Sequence, residues 1–299
     1  MDRAEVHRRF FAELITAQAG VPPGRLLDAF AMTPRERFIG PAPWKFPTSI
    51  GYIEAPSDDV TFLYRDCPVA LAPERGINNG QPVLHAMSLA ALDPQPGETA
   101  IHVGAGTGYY TAILARMIAP DGQVFAYEME EDLARRAVIN LEDLPNVTVR
   151  CQSGSQGTLP YSDLIYVSAG ATAPQASWLD ALLPGGRLVF PLTPDEGSGA
   201  MLLMTRPSDS SDHDRFHARA VSLATFIGCV GARDTETGRK LTHAFRRKKV
   251  RDVRSLFCNN SPDETCWVAG DGWWLSTAPL PGASRASPPA SIDSPAGAV

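Results

Sequence analysis

The chain has 299 residues, of which 44% are hydrophobic and 20% are charged, and its formal net charge is -6. This length can bury a full core, and the composition is that of an ordinary globular protein. The negative balance excludes a general attraction to nucleic acid or to an anionic membrane. No apolar run approaches the roughly twenty residues that span a bilayer. We therefore expect neither nucleic acid nor a membrane as a partner.

The N-terminus and the cysteines indicate a cellular compartment. The first residues lack the apolar core of a secretory signal, which favours a cytoplasmic location. The 5 cysteines are scattered, with no C-x-x-C pair and no metal-ligand spacing. We therefore expect reduced thiols and no metal site.

Residues 1–80 are predicted to form an N-terminal helical and loop segment. Apolar residues at helical spacing indicate one helix near the start and a second over Arg25–Met32. Segment 41–80 is rich in Pro and Gly, so it is expected to be irregular. It either contributes to the mouth of a substrate site or only covers the core. A turn cluster, Gly76–Pro82, then precedes a helix over Val83–Leu92.

The stretch Thr99–Glu128 has the length and pattern of one βαβ unit. A short apolar run precedes the turn Gly104–Gly108, and apolar residues at helical spacing follow it. A second buried strand then ends at Glu128. Glycines let a backbone approach a ligand closely, and an acid at the end of the next strand, about twenty residues on, can accept hydrogen bonds from a ribose diol. The stretch therefore predicts a nucleoside site.

The glycine spacing narrows the choice of nucleoside. The dinucleotide fingerprint is G-x-G-x-x-G, whereas Gly104–Gly108 has the spacing G-x-G-x-G. This disfavours a nicotinamide oxidoreductase. A glycine trio alone is a weak signal, and a plain strand-to-helix turn would also explain it. The strand before it, the helix after it and Glu128 at the right distance strengthen the functional interpretation.

Further strands and helices alternate beyond this unit. A helix is predicted over Glu131–Leu144 and another over Pro174–Leu183, the latter stopped by Pro184–Gly186. The predicted strands are Val147–Cys151, Leu164–Val167 and Arg187–Leu192. This alternation predicts an α/β, Rossmann-like, doubly wound and mostly parallel sheet over a core of residues 81–205. Ligands of such sheets bind beyond the carboxyl ends of the strands, where Glu128, Ser153 and Ser168 lie.

Residues 206–278 begin with a Ser/Asp-rich linker, 206–214, after which the pattern changes to antiparallel strands, a basic helix and a tryptophan hairpin. Strands over Ala200–Thr205 and Phe216–Ser222 are close enough to form an antiparallel pair, and a hairpin is predicted over Cys266–Leu275. The basic helix Glu236–Lys249 could suggest RNA, but stacking aromatics are not interleaved, so a solvated face is favoured. Residues 279–299 are expected to be a disordered tail.

Several stretches, taken in order, resemble the protein-L-isoaspartate (D-aspartate) O-methyltransferases. Together they cover a little over half of the chain, from about Arg25 to Leu192. The stretches are Met32–Ile39, Tyr64–Asp66, Gly80–Pro82 with its helix, Gly104–Ala112, Tyr161–Ala171 and Pro184–Leu188.

The resemblance implies a Rossmann-like fold and methyl transfer from S-adenosylmethionine to a carboxylate of a protein or peptide, in protein repair. Asn79 and Gly80 would position the acceptor, together with the amides that open the Val83 helix. The implied cofactor-binding residues are Gly104, Ala105, Gly106, Thr107, Gly108, Tyr109, Glu128, Met129 and Ser153. No metal is implied, and the oligomeric state is not defined.

The chain also departs from the family pattern. Gly80 stands where the family has Ser or Thr, the hydroxyl usually assigned to the reacting carboxylate. His102 replaces an acid that often closes the first strand, and Ser153 replaces the Asp that commonly contacts adenine. A hydroxyl can still form hydrogen bonds where a carboxylate did, so cofactor binding is less affected than the choice of acceptor.

The departures leave other acceptors and roles open. One alternative is a methyltransferase of the same fold that acts on a peptide natural product or a small acid. Another is a homologue that binds cofactor and peptide without turnover. His85 is either structural or close to the pocket, and His102 could serve as a base only if the acceptor is a hydroxyl.

Overall fold

The protein is described here from a computed structural model that covers residues 2–208 and 214–280. Its helices are α1 (Arg3–Gln18), α2 (Arg25–Ala31), α3 (Glu36–Ile39), α4 (Pro82–Leu92), α5 (Tyr109–Met117), α6 (Glu131–Asn140), α7 (Ala176–Ala181) and α8 (Thr235–Arg247). Its strands are β1 (Lys45–Thr48), β2 (Gly51–Glu54), β3 (Ala70–Ala72), β4 (Ile77–Asn78), β5 (Thr99–Val103), β6 (Gln123–Glu128), β7 (Val147–Cys151), β8 (Ser162–Val167), β9 (Leu182–Leu192), β10 (Gly199–Thr205), β11 (Arg215–Ala224), β12 (Ser255–Cys258), β13 (Cys266–Ala269) and β14 (Trp273–Ser276).

One large sheet organises the described chain, with the strand order β13-β14-β12-β11-β10-β9-β8-β5-β6-β7. The strands from β9 to β7 are parallel, and β5 lies at their centre between β6 and β8. Parallel strands covered on both faces are apolar along their whole length. β5 and β8 follow this rule, because nearly all of their residues are buried.

Two hydrophobic clusters cover the two faces of the sheet. One joins α1, α2, α4 and α5 to the sheet through residues such as Phe30, Leu89 and Ile113. The other lies beneath α7 and α8 and includes Trp178 and Trp267. Because helices cover both faces, the edge formed by the carboxyl ends of the parallel strands is where a ligand can enter.

The antiparallel part of the sheet is larger than the predicted pair. β10 and β11 pair antiparallel as expected, and β12, β14 and β13 extend the sheet beyond them. β12 was not predicted from the sequence. The hairpin predicted around Gly270–Gly272 is confirmed as β13 and β14. The disordered tail predicted for residues 279–299 lies almost wholly outside the described residues.

Two local expectations were wrong. Segment 41–80 is not wholly irregular, since β1 pairs with β2 and β3 with β4. Pro184–Gly186 does not only stop a helix but lies inside β9, where the register against β8 shifts. A bulge of this kind tolerates a proline because the ladder is already interrupted there. No helix of the described residues has the length and apolarity needed to cross a membrane.

Candidate active site

The glycine turn connects β5 to α5 and is hydrogen-bonded to β6. Gly104, Gly106 and Gly108 all have positive φ angles, of 75°, 56° and 95°, a region that favours glycine. The N–H groups of Gly104 and Ala105 both donate to the Tyr127 carbonyl, at 2.9 and 3.1 Å. The turn is thus preorganised by the backbone and leaves open space where side chains would otherwise stand.

Glu128 points at this turn. Its Oε2 accepts the Gly106 N–H at 2.7 Å, and its Oε1 accepts the Glu130 N–H at 2.9 Å. Burial raises the pKa of the Glu128 carboxyl, and these backbone donors oppose that shift. A carboxylate offers about four lone-pair sites, so two remain for a ligand diol.

A cavity of about 870 Å³ lies at the carboxyl ends of the parallel strands. Its wall contains seven of the predicted site residues, namely Asn79, Gly80, Gly104, Ala105, Gly106, Thr107 and Tyr109. The cavity is therefore shared by the glycine turn and by the loop that precedes α4. Residues 222–227, at the end of β11 and just after it, also line the cavity, and no sequence motif indicated them.

Four predicted cofactor residues lie outside this wall. A Cβ on Gly108 would meet the side chain of Leu141, so this glycine permits close packing of the turn against the end of α6. Met129 is 44% exposed beside Glu128. Ser153 is half-buried, and its hydroxyl pairs with that of Ser155 at 2.9 Å. Glu128, the fourth, reaches the cavity through its contact with Gly106.

The residues present fit a nucleoside. Thr107 is 1% exposed and lines the cavity, and its buried hydroxyl has no hydrogen-bond partner among the described residues. Buried polar groups are normally paired, so this hydroxyl is available to a polar ligand. A Cβ on Gly104 would come within 3.3 Å of the Ser168 backbone, in a cleft that only glycine leaves open.

The acceptor loop, residues 63–82, is held by the buried Arg35. Its guanidinium donates to the carbonyls of Leu63, Arg65 and Cys67 at 2.5, 2.9 and 2.7 Å. It also reaches Asn79 Oδ1 at 3.3 Å. Arg35 is 0% exposed, so it fixes the path of the loop from within. The stretch Met32–Ile39 resembled the family, but nothing in it indicated this role.

Asn79 has one free end. Its Oδ1 accepts the Val69 N–H at 2.8 Å, which fixes the orientation of the amide. Its Nδ2 is buried and has no partner in residues 2–208 and 214–280, and Asn79 lines the cavity. The predicted role of Asn79 in positioning an acceptor therefore has an available donor.

Two of the amides that were expected to hold the acceptor are occupied. Gly80 N–H donates to Asn78 Oδ1 and Val83 N–H donates to Asp66 Oδ1, both at 2.8 Å. Asp66 caps α4 from a distant segment, and the N-cap residue Gln81 makes no capping bond with its own side chain. The contribution of Gly80 is thus space rather than a hydrogen bond.

Two buried histidines lie deep in the cavity. His102 Nδ1 pairs with the Thr111 hydroxyl at 2.8 Å and Nε2 with the Ser168 hydroxyl at 3.0 Å. Burial lowers the pKa of His102 to about 3. Because both nitrogens are hydrogen-bonded and burial makes the ring a weak proton acceptor, the geometry does not favour His102 as a general base. His85 stacks on Tyr110, with ring centroids 3.6 Å apart, and its Nε2 has no partner in the part of the chain that the structure describes.

Comparison with known proteins agrees with this geometry. The sequence model of the protein-L-isoaspartate(D-aspartate) O-methyltransferase family matches residues 14–231. Protein-L-isoaspartate O-methyltransferase of Methylorubrum extorquens is 32% identical over 231 residues, which cover 76% of this chain and 89% of that protein. The Aeropyrum pernix enzyme of the same name is 35% identical over 178 residues, 57% of this chain and 61% of that protein.

Solved structures show the same fold. A protein-L-isoaspartate O-methyltransferase superposes with a TM-score of 0.63 at 22% identity, over 80% of this chain and 69% of that one. A Plasmodium falciparum protein described as a putative member, in complex with S-adenosyl-L-homocysteine, gives a TM-score of 0.57 at 19% identity, over 74% and 97%.

Sheet, glycine turn and neighbouring acid together form a nucleoside site, and the family match identifies the protein as a methyltransferase that depends on S-adenosylmethionine. Because the family match covers most of the chain, the assignment can be made more specific. The chain belongs to the protein-L-isoaspartate(D-aspartate) O-methyltransferase family. The match ends at residue 231, so α8 and strands β12 to β14 lie beyond it.

Proposed function

We propose that this protein transfers the methyl group of S-adenosylmethionine to a side-chain carboxylate of a protein or peptide, giving a methyl ester. The acceptor that we favour is an isoaspartyl residue, because family membership over residues 14–231 supports it. The relatives from Methylorubrum extorquens and Brucella anthropi are both named protein-L-isoaspartate O-methyltransferase.

One observation carries the proposal. The glycine turn Gly104–Thr107 and the acceptor-loop residues Asn79 and Gly80 line the same cavity. A methyl donor on the turn and a carboxylate on the loop would therefore meet without an intervening barrier. Such an arrangement lowers the entropic cost of bringing two reactants into line.

The chemistry asks for alignment rather than acid–base catalysis. When bound, the cofactor supplies an electrophilic methyl group on a sulfonium, and a carboxylate oxygen replaces the sulfur at that carbon with no proton transferred. A carboxyl is already ionised at neutral pH. Glu128 would orient the ribose, and Leu223 and Phe226 in the cavity wall would help to exclude water.

Methyl transfer to synthetic peptides tests the proposal. Enzyme and radiolabelled S-adenosylmethionine are incubated with an isoaspartyl peptide and with its ordinary aspartyl isomer. The expected result is label that base releases as volatile methanol, from the isoaspartyl peptide only. Base-stable label on alcohols or amines, or no label on either peptide under conditions where the cofactor binds, would refute the carboxylate assignment.

Wider roles follow from the same proposal. Methylation of isoaspartyl residues would place the enzyme in protein repair, and the expected setting is the cytoplasm. Repair is tested by the isoaspartyl content of cellular protein after deletion of the gene, which should rise. Cell fractionation tests the location.

A further inference from the structure

His85 occupies the space that the missing side chain at position 80 would fill. Gly80 has a φ of 73°, and a Cβ built on it would overlap His85 Nε2. The family pattern has a Ser or Thr hydroxyl at this position, and here a ring nitrogen takes its place. His85 is 2% exposed and lines the cavity. His85 Nε2 thus places a polar atom where the hydroxyl would stand, from a residue five positions further along the chain.

This nitrogen is unsatisfied although it is buried. His85 Nδ1 is hydrogen-bonded to the Tyr166 hydroxyl, whereas Nε2 has no partner in the described residues. A buried polar group without a partner is costly, commonly about 1–3 kcal/mol. Such an atom in the wall of a ligand cavity indicates a contact that the ligand completes.

Hydrogen bonds and ring stacking fix the two buried histidines. Thr111 contacts His102 Nδ1, and His102 Nε2 contacts Ser168. His102 stacks on Tyr166, with ring centroids 4.9 Å apart, and the Tyr166 hydroxyl is hydrogen-bonded to His85 Nδ1. When the Tyr166 hydroxyl donates to Nδ1, His85 carries its proton on Nε2. A carboxylate only accepts hydrogen bonds, so it selects this tautomer, in which His85 Nε2 is a donor.

A second free donor lies in the same cavity wall. Asn79 Nδ2 is buried and has no partner within the described part of the chain, and the Val69 N–H fixes the amide by donating to Asn79 Oδ1. Two donors match the two oxygens of one carboxylate. On the basis of the proposed function, we propose that His85 Nε2–H binds the acceptor carboxylate, together with Asn79, in place of the hydroxyl that Gly80 lacks.

Two substitutions at position 85 separate this role from a structural one. His85→Gln places an amide near the position of Nε2 and keeps a donor in the cavity. His85→Asn keeps a polar group near Nδ1, where it can bond to Tyr166, and removes the donor. We expect His85→Asn to weaken binding of the isoaspartyl peptide at least tenfold and His85→Gln to weaken it less than threefold.

The affinity is measured by calorimetry on the full chain in complex with S-adenosylhomocysteine. Cofactor affinity should stay unchanged in both variants, which shows that they are folded. The proposal would be overturned if the His85→Asn variant bound the peptide as tightly as the His85→Gln variant, or more tightly. Wild-type turnover tests the proposed function separately. Failure of the wild-type complex to bind the peptide would refute both.

A pair of glycine substitutions gives an independent test that leaves His85 in place. Gly80→Ala adds a methyl group where Nε2 now lies, whereas Gly76→Ala adds one in open space at a similar φ of 68°. Backbone strain is therefore matched between the two. We expect at least a tenfold loss of peptide affinity in Gly80→Ala only. Equal affinity in the two variants would contradict the assignment.

Discussion

The two sides of the cavity are built in different ways. On the glycine-turn side, Glu128 reaches Gly106 from 22 residues along the chain, and backbone bonds within one βαβ unit hold Gly104 and Ala105. On the acceptor side, Arg35 contacts groups that lie between 28 and 44 positions further along the sequence. His85 contacts Tyr166, which is 81 positions away in the sequence. The first side is a local motif and the second is a product of tertiary structure.

This difference predicts how substitutions should affect cofactor binding and acceptor binding. The turn depends on space and on one acid, so small additions should block the cofactor without unfolding the protein. The acceptor loop depends on buried polar contacts, so its loss should lower stability as well as acceptor binding. The following predictions test this contrast, beginning with the largest expected effect.

Arg35→Met should destabilise the protein most. It leaves the carbonyls of Leu63, Arg65 and Cys67 without their donor, the first in a buried place and the other two in part-buried ones. At about 1–3 kcal/mol for each buried unsatisfied group, the free energy of unfolding should fall by about 4 kcal/mol. Urea denaturation measures the change. Arg3→Met, which removes an exposed ion pair with Asp59, is the control and should change it by less than about 1 kcal/mol.

Gly104→Val should abolish cofactor binding while the fold persists. The new side chain would enter the cleft beside Ser168 at a φ of 75°. We expect an affinity loss of at least about 100-fold, roughly 2.7 kcal/mol. Gly97→Val, at a φ of 86° in open space, matches the backbone strain and should bind S-adenosylhomocysteine like the wild type. If both variants bound equally, steric access at the turn would not matter.

Acid should destabilise the protein through the two buried histidines. Burial lowers the pKa of His102 to about 3 and that of His85 well below its ordinary value, with His102 and Arg35 adding smaller effects on His85. The unfolded chain therefore binds two protons near pH 6.5 that the folded protein does not bind. Stability is full above pH 6.5 and falls as the pH drops below it, by roughly 2 kcal/mol between pH 6 and 5.

Denaturation at a series of pH values measures this slope. His102→Gln should roughly halve it, because one of the two titrating groups is removed. His7→Gln, at an exposed position on α1, should leave the slope unchanged. A slope that does not respond to His102→Gln would show that other groups titrate in this range.

Glu128→Gln should weaken cofactor binding moderately. The amide retains one acceptor oxygen for Gly106 but presents a donor where Glu130 N–H now donates, and it removes the charge that favours a ribose diol. We expect about a tenfold loss of affinity, roughly 1.4 kcal/mol. Glu131→Gln, an exposed residue at the start of α6, is the matched control and should bind normally.

The same contrast explains what the sequence revealed. The turn, its strand, its helix and Glu128 were predictable because their spacing is fixed by one unit of structure. The parallel order of the sheet followed from the alternation of strands and helices. Arg35, Asp66 and His85 could not be assigned, since their partners lie in distant segments and no periodicity connects them. Gly108 was assigned to the ligand by motif, yet its space serves packing against Leu141.

The central claim is that the glycine turn and Glu128 form a site for a sulfonium nucleoside. Calorimetric titration of the full chain with S-adenosylhomocysteine, and separately with NAD, tests it most directly. The account predicts saturable binding of S-adenosylhomocysteine at about one molecule per chain, weakened by Glu128→Gln, and no measurable binding of NAD. Heat from NAD alone, or S-adenosylhomocysteine binding that is indifferent to both Gly104→Val and Glu128→Gln, would contradict it.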